Sequence, residues 1–344
     1  LAAALFTGWS GWLKAWAGGV TALPYLVVAL FTLPFFAAYG VLITPLHFVG
    51  GYVWPRRFGL SVQSLGGWAW DHIKGMFLGL VLVLVVLEVL YALLRFSPAW
   101  WWLWMSVFLL CFTVVLANRA PLVIVPLFYR LEPLEDAELV NRLTRLAQRA
   151  GTGVKGVYRM NLSAKTTAAN AALMGLGNTR RIVLGDTLLD NYTVDEIETV
   201  LAHELGHHVH GDLGKGIMVE TALTLGGLWL AHQALQGSVN ALGFEGVMDI
   251  AALPLLGLIL GAFGVVTMPL SNTYSRWRER LADRYALEVT DKPEAFAAAM
   301  IRLANQNLAE VDPPRWVEVM LYSHPPIGKR VAMARRYQSG GAQT

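Results

Sequence analysis

The chain has 344 residues, of which 55% are apolar and 15% charged, with a formal net charge of +3. Ordinary soluble domains carry about a quarter charged residues, so this balance excludes a typical globular domain and points to a membrane protein. The arginines sit in scattered segments with no basic, aromatic-interleaved patch, which argues against nucleic acid as a partner. The single cysteine, Cys111, excludes an intrachain disulfide and cysteine-ligated zinc.

In chain order, Leu1 to Trp16 reads as the end of an apolar helix, and a start on leucine rather than methionine implies that a segment precedes it. A spanning helix needs about 20 predominantly apolar residues. Five stretches meet that standard: Leu23 to Leu46, Met76 to Leu94, Trp100 to Leu122, Ile217 to Leu235 and Ile250 to Leu270. Trp100, Trp101, Trp102 and Trp104 form an interfacial belt at the start of the third. Cys111, inside that stretch, is expected to be a buried thiol. Glu88 and Glu220 lie at membrane depth, which is costly unless they face water or a partner; snorkelling to an interface is the other reading.

These spans divide the chain into a membrane domain (1–125), a first water-soluble part (126–212), a transmembrane hairpin (213–270) and a second water-soluble part (271–344). Arginine and lysine accumulate on the cytoplasmic side of membrane proteins. Arg56, Arg57 and Lys74 fall, by parity of the spans, on the side of the soluble parts. Arg95 stands alone opposite them, and Gln236 to Asp249 holds no basic residue. The soluble portion is therefore expected to face the cytoplasm, across the inner membrane in a bacterium.

Within that portion Leu139, Leu143, Leu146 and Ala150 recur at helical spacing between Arg142, Arg145 and Arg149, predicting an amphipathic helix that ends before Gly151. Val154 to Met160 reads as a strand. Ala169 to Met174 and Arg180 to Leu184 read as a hairpin joined by the turn-rich Gly175 to Thr179.

Thr193 with Glu196 three residues later is a capping-box signature, and Ile197, Val200 and Leu201 begin an apolar stripe, so a helix starts here. On it His203 and His207 are four apart, which puts both imidazoles on one face within reach of one ion. Glu204 lies beside them. In this pattern the carboxylate takes a proton from the attacking water and returns it to the leaving amine, while zinc lowers the water's pKa and polarises the carbonyl. His208 is rotated off that face, and His47, His72 and His232 have no partner spacing and read as interfacial or packing residues. A catalytic zinc keeps one position open, so a third protein ligand is needed. After the hairpin, Glu279 and Asp283 are four apart on one helical face. Glu279 could ligate while Asp283 orients a ligand histidine; a solvated face with arginine pairs is the other reading of that spacing.

Four motifs resemble the type I CAAX prenyl protease family, integral-membrane zinc endopeptidases with more distant bacterial heat-shock relatives such as HtpX. They are Arg57-Phe58-Gly59-Leu60 with Gln63; Ala168-Ala169-Asn170-Ala171 leading to Arg181-Ile182-Val183-Leu184 and Asp186-Thr187-Leu188-Leu189; the histidine helix with Ser275-Arg276, Glu279 and Ala282-Asp283; and Ser323-His324-Pro325-Pro326 with Arg330. The resemblance implies that Glu279 completes the shell of one Zn2+ per chain and that Asp283 and Arg330 support it. It also implies that His324 faces the substrate carbonyl, where a donor would stabilise the oxyanion. Read alone, His324 is a turn residue before two prolines. The same source implies that Asn170, Ala171, Ala172, Leu173 and Met174 form an edge strand pairing with an extended substrate; read alone, they are an ordinary hairpin strand. Family members have about seven spans, some around an intramembrane chamber, and often an aromatic residue where His208 stands.

The expected fold is a multi-pass α-helical membrane protein with a zincin-like α+β metalloprotease domain built from both sides of a transmembrane hairpin. The expected function is cleavage of membrane-associated or prenylated proteins or peptides. A quality-control protease of the HtpX kind is the alternative within the enzyme class. A non-catalytic transporter or sensor with a closed structural zinc site is the alternative outside it, and would need a fourth ligand. The expected partners are a peptide or protein substrate, with or without a lipid, and the bilayer; no obligatory protein partner is evident.

Overall fold

The computed structural model describes residues 1–175, 177–239 and 241–341. The helices in the first third are α1 (Ala2–Phe6), α2 (Trp9–Val20), α3 (Pro24–Phe48), α4 (Trp54–Arg57), α5 (Leu65–Phe96), α6 (Trp101–Val123) and α7 (Val125–Phe128). A π-helical turn, Val49–Val53, joins α3 to α4, and Pro34 and Pro45 lie inside α3, an interruption that membrane helices tolerate when the freed backbone groups are satisfied locally. The chain continues through β1 (Leu131–Pro133), α8 (Ala137–Arg149), β2 (Val157–Met160), β3 (Ala171–Met174), β4 (Arg181–Gly185), α9 (Asp186–Asn191) and α10 (Val194–Val209). It ends with α11 (Asp212–Ser238), α12 (Leu253–Thr290), α13 (Pro293–Asn307), α14 (Arg315–Leu321) and α15 (Ile327–Gly341).

Two compact units emerge. The first comprises Leu1–Trp54, Ser64–Thr113 and Ile217–Thr267. Among the described residues, four helical stretches are long and apolar enough to cross a membrane: Pro24–Arg57, Leu65–Phe96, Trp101–Val123 and Ile250–Thr290. The fourth of the five expected spans is not among them. Ile217 to Leu235 lies within the 27-residue α11, but Glu220, Thr221, Thr224, His232 and Gln233 dilute its apolar character below that of the other four. The polar groups of α11 are partly satisfied within the unit, where Trp101 Nε1 donates to His232 Nδ1 at 3.0 Å and Gln236 Nε2 stands 3.0 Å from His232 Nε2. Leu13, Phe31, Leu94, Trp101, Leu228 and Leu235 form its core. Cys111 is exposed on α6, not buried. The cause is general to such helices: an apolar stretch that faces lipid leaves its side chains on the protein's surface.

The second unit comprises Pro55–Gln63, Val114–Gly216 and Met268–Thr344. Its sheet has the order β1-β2-β4-β3. β2 is parallel to β4, and β1 and β3 are antiparallel to their neighbours, with Ala171 opposite Leu184 and Met174 opposite Arg181. The expected hairpin is β3 with β4. β3, like β2, is shorter than the apolar run suggests, β4 is shifted by one residue at unchanged length, and β1, three residues ending in proline, has no alternating pattern to announce it. α8 is capped by Asp136, whose Oδ1 accepts from Leu139 N at 3.0 Å. The apolar stripe of α8 packs with Ile182 and Leu184 of β4, Ile197, Leu201 and Leu205 of α10, Leu287 of α12 and Phe296 of α13 in one core. Each large side chain so buried contributes about 1.5–3 kcal/mol, and this core fixes the pose of α10. The 55–63 segment is strapped along the residues before β3. Thr166 Oγ1 and Thr167 N donate to Leu60 O at 2.8 and 3.1 Å, and Ser61 bridges to Thr166.

Candidate metal centre

α10 begins on the predicted capping box: Glu196 N donates to Thr193 Oγ1 at 3.3 Å and Thr193 N donates to Glu196 Oε2 at 2.7 Å. With its start fixed and Ile197, Val200, Leu201 and Leu205 buried, the helix turns His203 and His207 to one side. Their Nε2 atoms are 3.3 Å apart and the rings are nearly perpendicular, at 86°. Glu279, on α12, reaches the same point. Its Oε2 lies 3.3 Å from His203 Nε2 and its Oε1 3.3 Å from His207 Nε2. A backbone contact makes that reach attainable. A Cβ on Gly206 would stand 2.9 Å from Ala282 Cα and 3.1 Å from its carbonyl oxygen, so the two helices touch without intervening side chains, one turn from Glu279.

The donor set fits a metal ion. Tetrahedral ligands at about 2.0–2.1 Å from zinc are separated by about 3.4 Å, close to the three 3.3 Å separations among His203, His207 and Glu279. Glu279 Oε2 is buried and has no hydrogen-bond partner, an orphan that a cation between it and the imidazoles would satisfy. Among the described residues, no other group of three or more histidine, cysteine or acidic side chains is arranged this way.

Each imidazole is held from behind. Asp283 Oδ1 is 2.8 Å from His203 Nδ1, and Arg330 donates to Asp283 through Nε at 2.9 Å and Nη2 at 2.5 Å. Burial alone would lower the pKa of His203; the hydrogen bond to Asp283 and the nearby Glu279 carboxylate outweigh it and raise it to about 9. Burial likewise opposes protonation of His207, but its bonds to Glu279 and Asp212 win and hold its pKa above the ordinary histidine range. Asp212 Oδ2 accepts from His207 Nδ1 at 2.8 Å, and Arg278 donates to Asp212 Oδ1 from Nε at 2.6 Å and also from Nη2. Sequence reading missed Asp212 and Arg278. The available signals were an acid five residues past His207, just after the histidine helix ends, and an arginine beside Glu279.

Glu204 is half-buried, next to His203 on α10. His324 is 63% exposed in its side chain, and its Nε2 lies 3.4 Å from Glu279 Oε1, so the turn residue does converge on the cluster. Asn272 and Arg276 account for that placement: Asn272 Nδ2 donates to Met320 O at 2.6 Å, and Arg276 Nη1 donates to Glu318 O and Tyr322 O at 2.7 and 2.5 Å. Together they pin α14 and the chain leading into His324. Arg276 was visible as part of a motif, but its role was not. His208 faces away, with Nε2 3.4 Å from Arg180 Nη1. Of the expected substrate strand, Ala171 to Met174 form β3 at the end of the sheet, and exposed Asn170 just before it accepts from Gly185 N at 2.8 Å.

Residues 133–338 match the model of peptidase family M48, and residues 1–130 match that of the CAAX prenyl protease N-terminal region, five membrane helices. Within the latter stretch lie three of the four candidate spans, preceded by the shorter α1 and α2. The chain is 30% identical over 339 residues to an uncharacterized metalloprotease, YhfN, of Bacillus subtilis, covering 97% of this chain and 79% of that one. It is 27% identical to a CAAX prenyl protease 1 homolog of Oryza sativa, covering 88% and 73%, and 27% identical to CAAX prenyl protease 1 of Saccharomyces cerevisiae, covering 83% and 67%. The fold is that of the crystal structure of S. mikatae Ste24p, with a TM-score of 0.85 over 95% of this chain and 81% of that one, at 24% identity. The family match over the region that holds the histidine helix, its facing carboxylate and their supports, together with the apolar helices, makes the chain a member of peptidase family M48 and a multi-pass membrane metalloprotease.

Proposed function

We propose that the protein is a zinc endopeptidase whose cluster of His203, His207 and Glu279 holds one Zn2+ ion, with Glu204 as general base and His324 as oxyanion donor. The observation that carries this reading is the set of three 3.3 Å separations among two imidazole nitrogens and a buried carboxylate. When bound, zinc supplies a lowered pKa for water and polarisation of the scissile carbonyl. Glu204 takes the proton of the attacking water and hands it to the leaving amine. His324, exposed at the edge of the cluster, donates to the carbonyl oxygen as negative charge develops there. A closed structural site would need a fourth protein ligand, and the cluster offers three.

Metal binding should depend on pH with a definite sign. In the metal-free protein His203 has a folded-state pKa of about 9, above its ordinary value, so the proton it holds stabilises the fold fully below about 6.5 and that stabilisation is lost as pH rises through about 9. A metal ion must displace this proton. Apparent zinc affinity measured by chelator competition should therefore climb steadily from pH 6.5 to about 9 and then level off; an affinity flat across that range would contradict the protonation state.

The substrate reading rests on β3, whose outer edge offers backbone groups to an extended peptide, and on the relatives named CAAX prenyl proteases. We infer a membrane-anchored substrate with a prenylated carboxy-terminal tail, cleaved on the cytoplasmic side that the basic loop residues favour. Sealed inverted vesicles should cleave a farnesylated CAAX peptide at least tenfold faster, in kcat/KM, than the unmodified peptide. Backbone pairing alone carries little side-chain selectivity, so equal rates would instead assign the enzyme to clearance of damaged membrane proteins.

A further inference from the structure

We propose that Asp212 and Arg278 are positioning residues for His207, a second relay that matches the pair behind His203 and fixes which nitrogen of His207 faces the metal. The inference rests on the zinc site proposed above. Asp212 divides its oxygens between two neighbours: Oδ1 accepts from the Arg278 guanidinium and Oδ2 from His207 Nδ1. A carboxylate can only accept, so the proton of a neutral His207 must sit on Nδ1. That leaves the Nε2 lone pair free and pointed at His203 Nε2 and Glu279 Oε1, each 3.3 Å away.

The backbone builds this contact. α10 ends at Val209, and Gly211, at φ 65°, reverses the chain in the left-handed region that glycine enters without strain. The reversal brings Asp212, the first residue of α11, back beneath His207. Arg278 also donates to His210 O at 3.2 Å. One guanidinium thus holds both the carboxylate behind His207 and the end of the histidine helix, from the position next to Glu279. Arg278 and Asp212 side chains are 7% and 12% exposed, so little water competes for either.

Because Arg278 claims Oδ1, an asparagine at 212 would keep its carbonyl toward the arginine and turn its amide NH2 toward His207. It would then donate to Nδ1 and drive the ring proton onto Nε2, the metal-facing atom. Alanine would merely release the ring. A plain structural clamp predicts the opposite order, since asparagine preserves most of the packing and alanine preserves none.

The test uses the full chain in detergent. Zinc affinity is read by chelator competition, Co2+ absorption reports coordination geometry, and metal-free melting temperature reports the fold. Loss of supporting hydrogen bonds behind ligand histidines typically costs 10–100-fold in metal affinity. We expect Asp212→Ala near the lower end of that range and Asp212→Asn near the upper, Asp212→Glu closer to the parent than either, and a Co2+ spectrum altered most by Asp212→Asn. Arg278→Gln should abolish the excess penalty of Asp212→Asn over Asp212→Ala, since the amide is then free to turn. If Asp212→Asn binds zinc within twofold of the parent, or binds it better than Asp212→Ala does, the relay is overturned. If Asp212→Asn fails to fold, the same order is sought in Arg278→Gln against Arg278→Lys, where lysine keeps the charge on Oδ1; equal affinities for these two would overturn the relay. Failure of the underlying site is separate: it appears as a parent that binds no zinc, or as a Glu279→Gln variant that binds zinc as the parent does.

Discussion

Replacing Glu204 with glutamine should lower kcat by about 10³-fold, within the 10²–10⁴ range that general acid–base catalysis supplies, while bound zinc and KM stay near their parent values. Glu204 lies outside the cluster of His203, His207 and Glu279 proposed to hold the metal, so glutamine at 204 should remove no ligand. The amide keeps the size of the side chain and loses the ability to carry a proton from the attacking water to the leaving amine. A thousandfold loss corresponds to about 4 kcal/mol of transition-state stabilisation. The decisive measurement pairs kcat on a quenched fluorescent peptide with zinc content by atomic absorption. Activity retained at parent level would remove Glu204 from the mechanism, and activity lost together with the metal would make it a structural residue.

The second large effect is expected from a single methyl group. A Cβ at Gly206 meets backbone atoms of Ala282 at 2.9 and 3.1 Å, and neither helix has a flexible side chain there that could give way. Gly206→Ala must therefore push α12 away from α10 or bend one of them, at about 1–3 kcal/mol of overpacking strain. Glu279 rides on α12 less than one turn away, so the shift widens its distance to both imidazoles. Misplacement by about 1 Å commonly costs 10²-fold in rate, and the carboxylate is also the proposed third ligand, so zinc affinity should fall alongside kcat/KM. Chelator competition and peptide cleavage on the purified variant would show both losses. A Gly206→Ala protein with parent zinc affinity would mean that helix contact does not set the reach of Glu279.

Much of this centre is legible in the amino-acid order because it is local. The capping box at Thr193, the apolar stripe and the four-residue spacing of His203 and His207 all lie within one helix, where periodicity dictates geometry. Glu279 is different in kind. Its spacing to Asp283 suits a solvated face equally well, and only the approach of α12 at Gly206, a contact between distant segments, turns it inward. Asp212 and Arg278 lie next to recognisable motif residues, but nothing in the order pairs them until the turn at Gly211 places Asp212 behind His207 and α12 brings Arg278 to it. Hydropathy misread Cys111 for the converse reason: apolar residues signal burial from water, which a lipid-facing position on α6 satisfies without burial in protein. The same measure ranks α11 below the other long helices, because it counts polar side chains such as His232 without seeing the partners, such as Trp101, that accommodate them.

Splitting the cluster between α10 and α12 also imposes an order of events during synthesis. A ribosome delivers the two histidines and the general base first, then the whole of 217–267, and only afterwards the carboxylate that closes the set. Until that point the nascent chain carries only two of the three proposed ligands. On the proposed reading the ligand set is therefore complete only once α12 has been made, and the site itself only later still, when His324 and Arg330 follow it out of the ribosome.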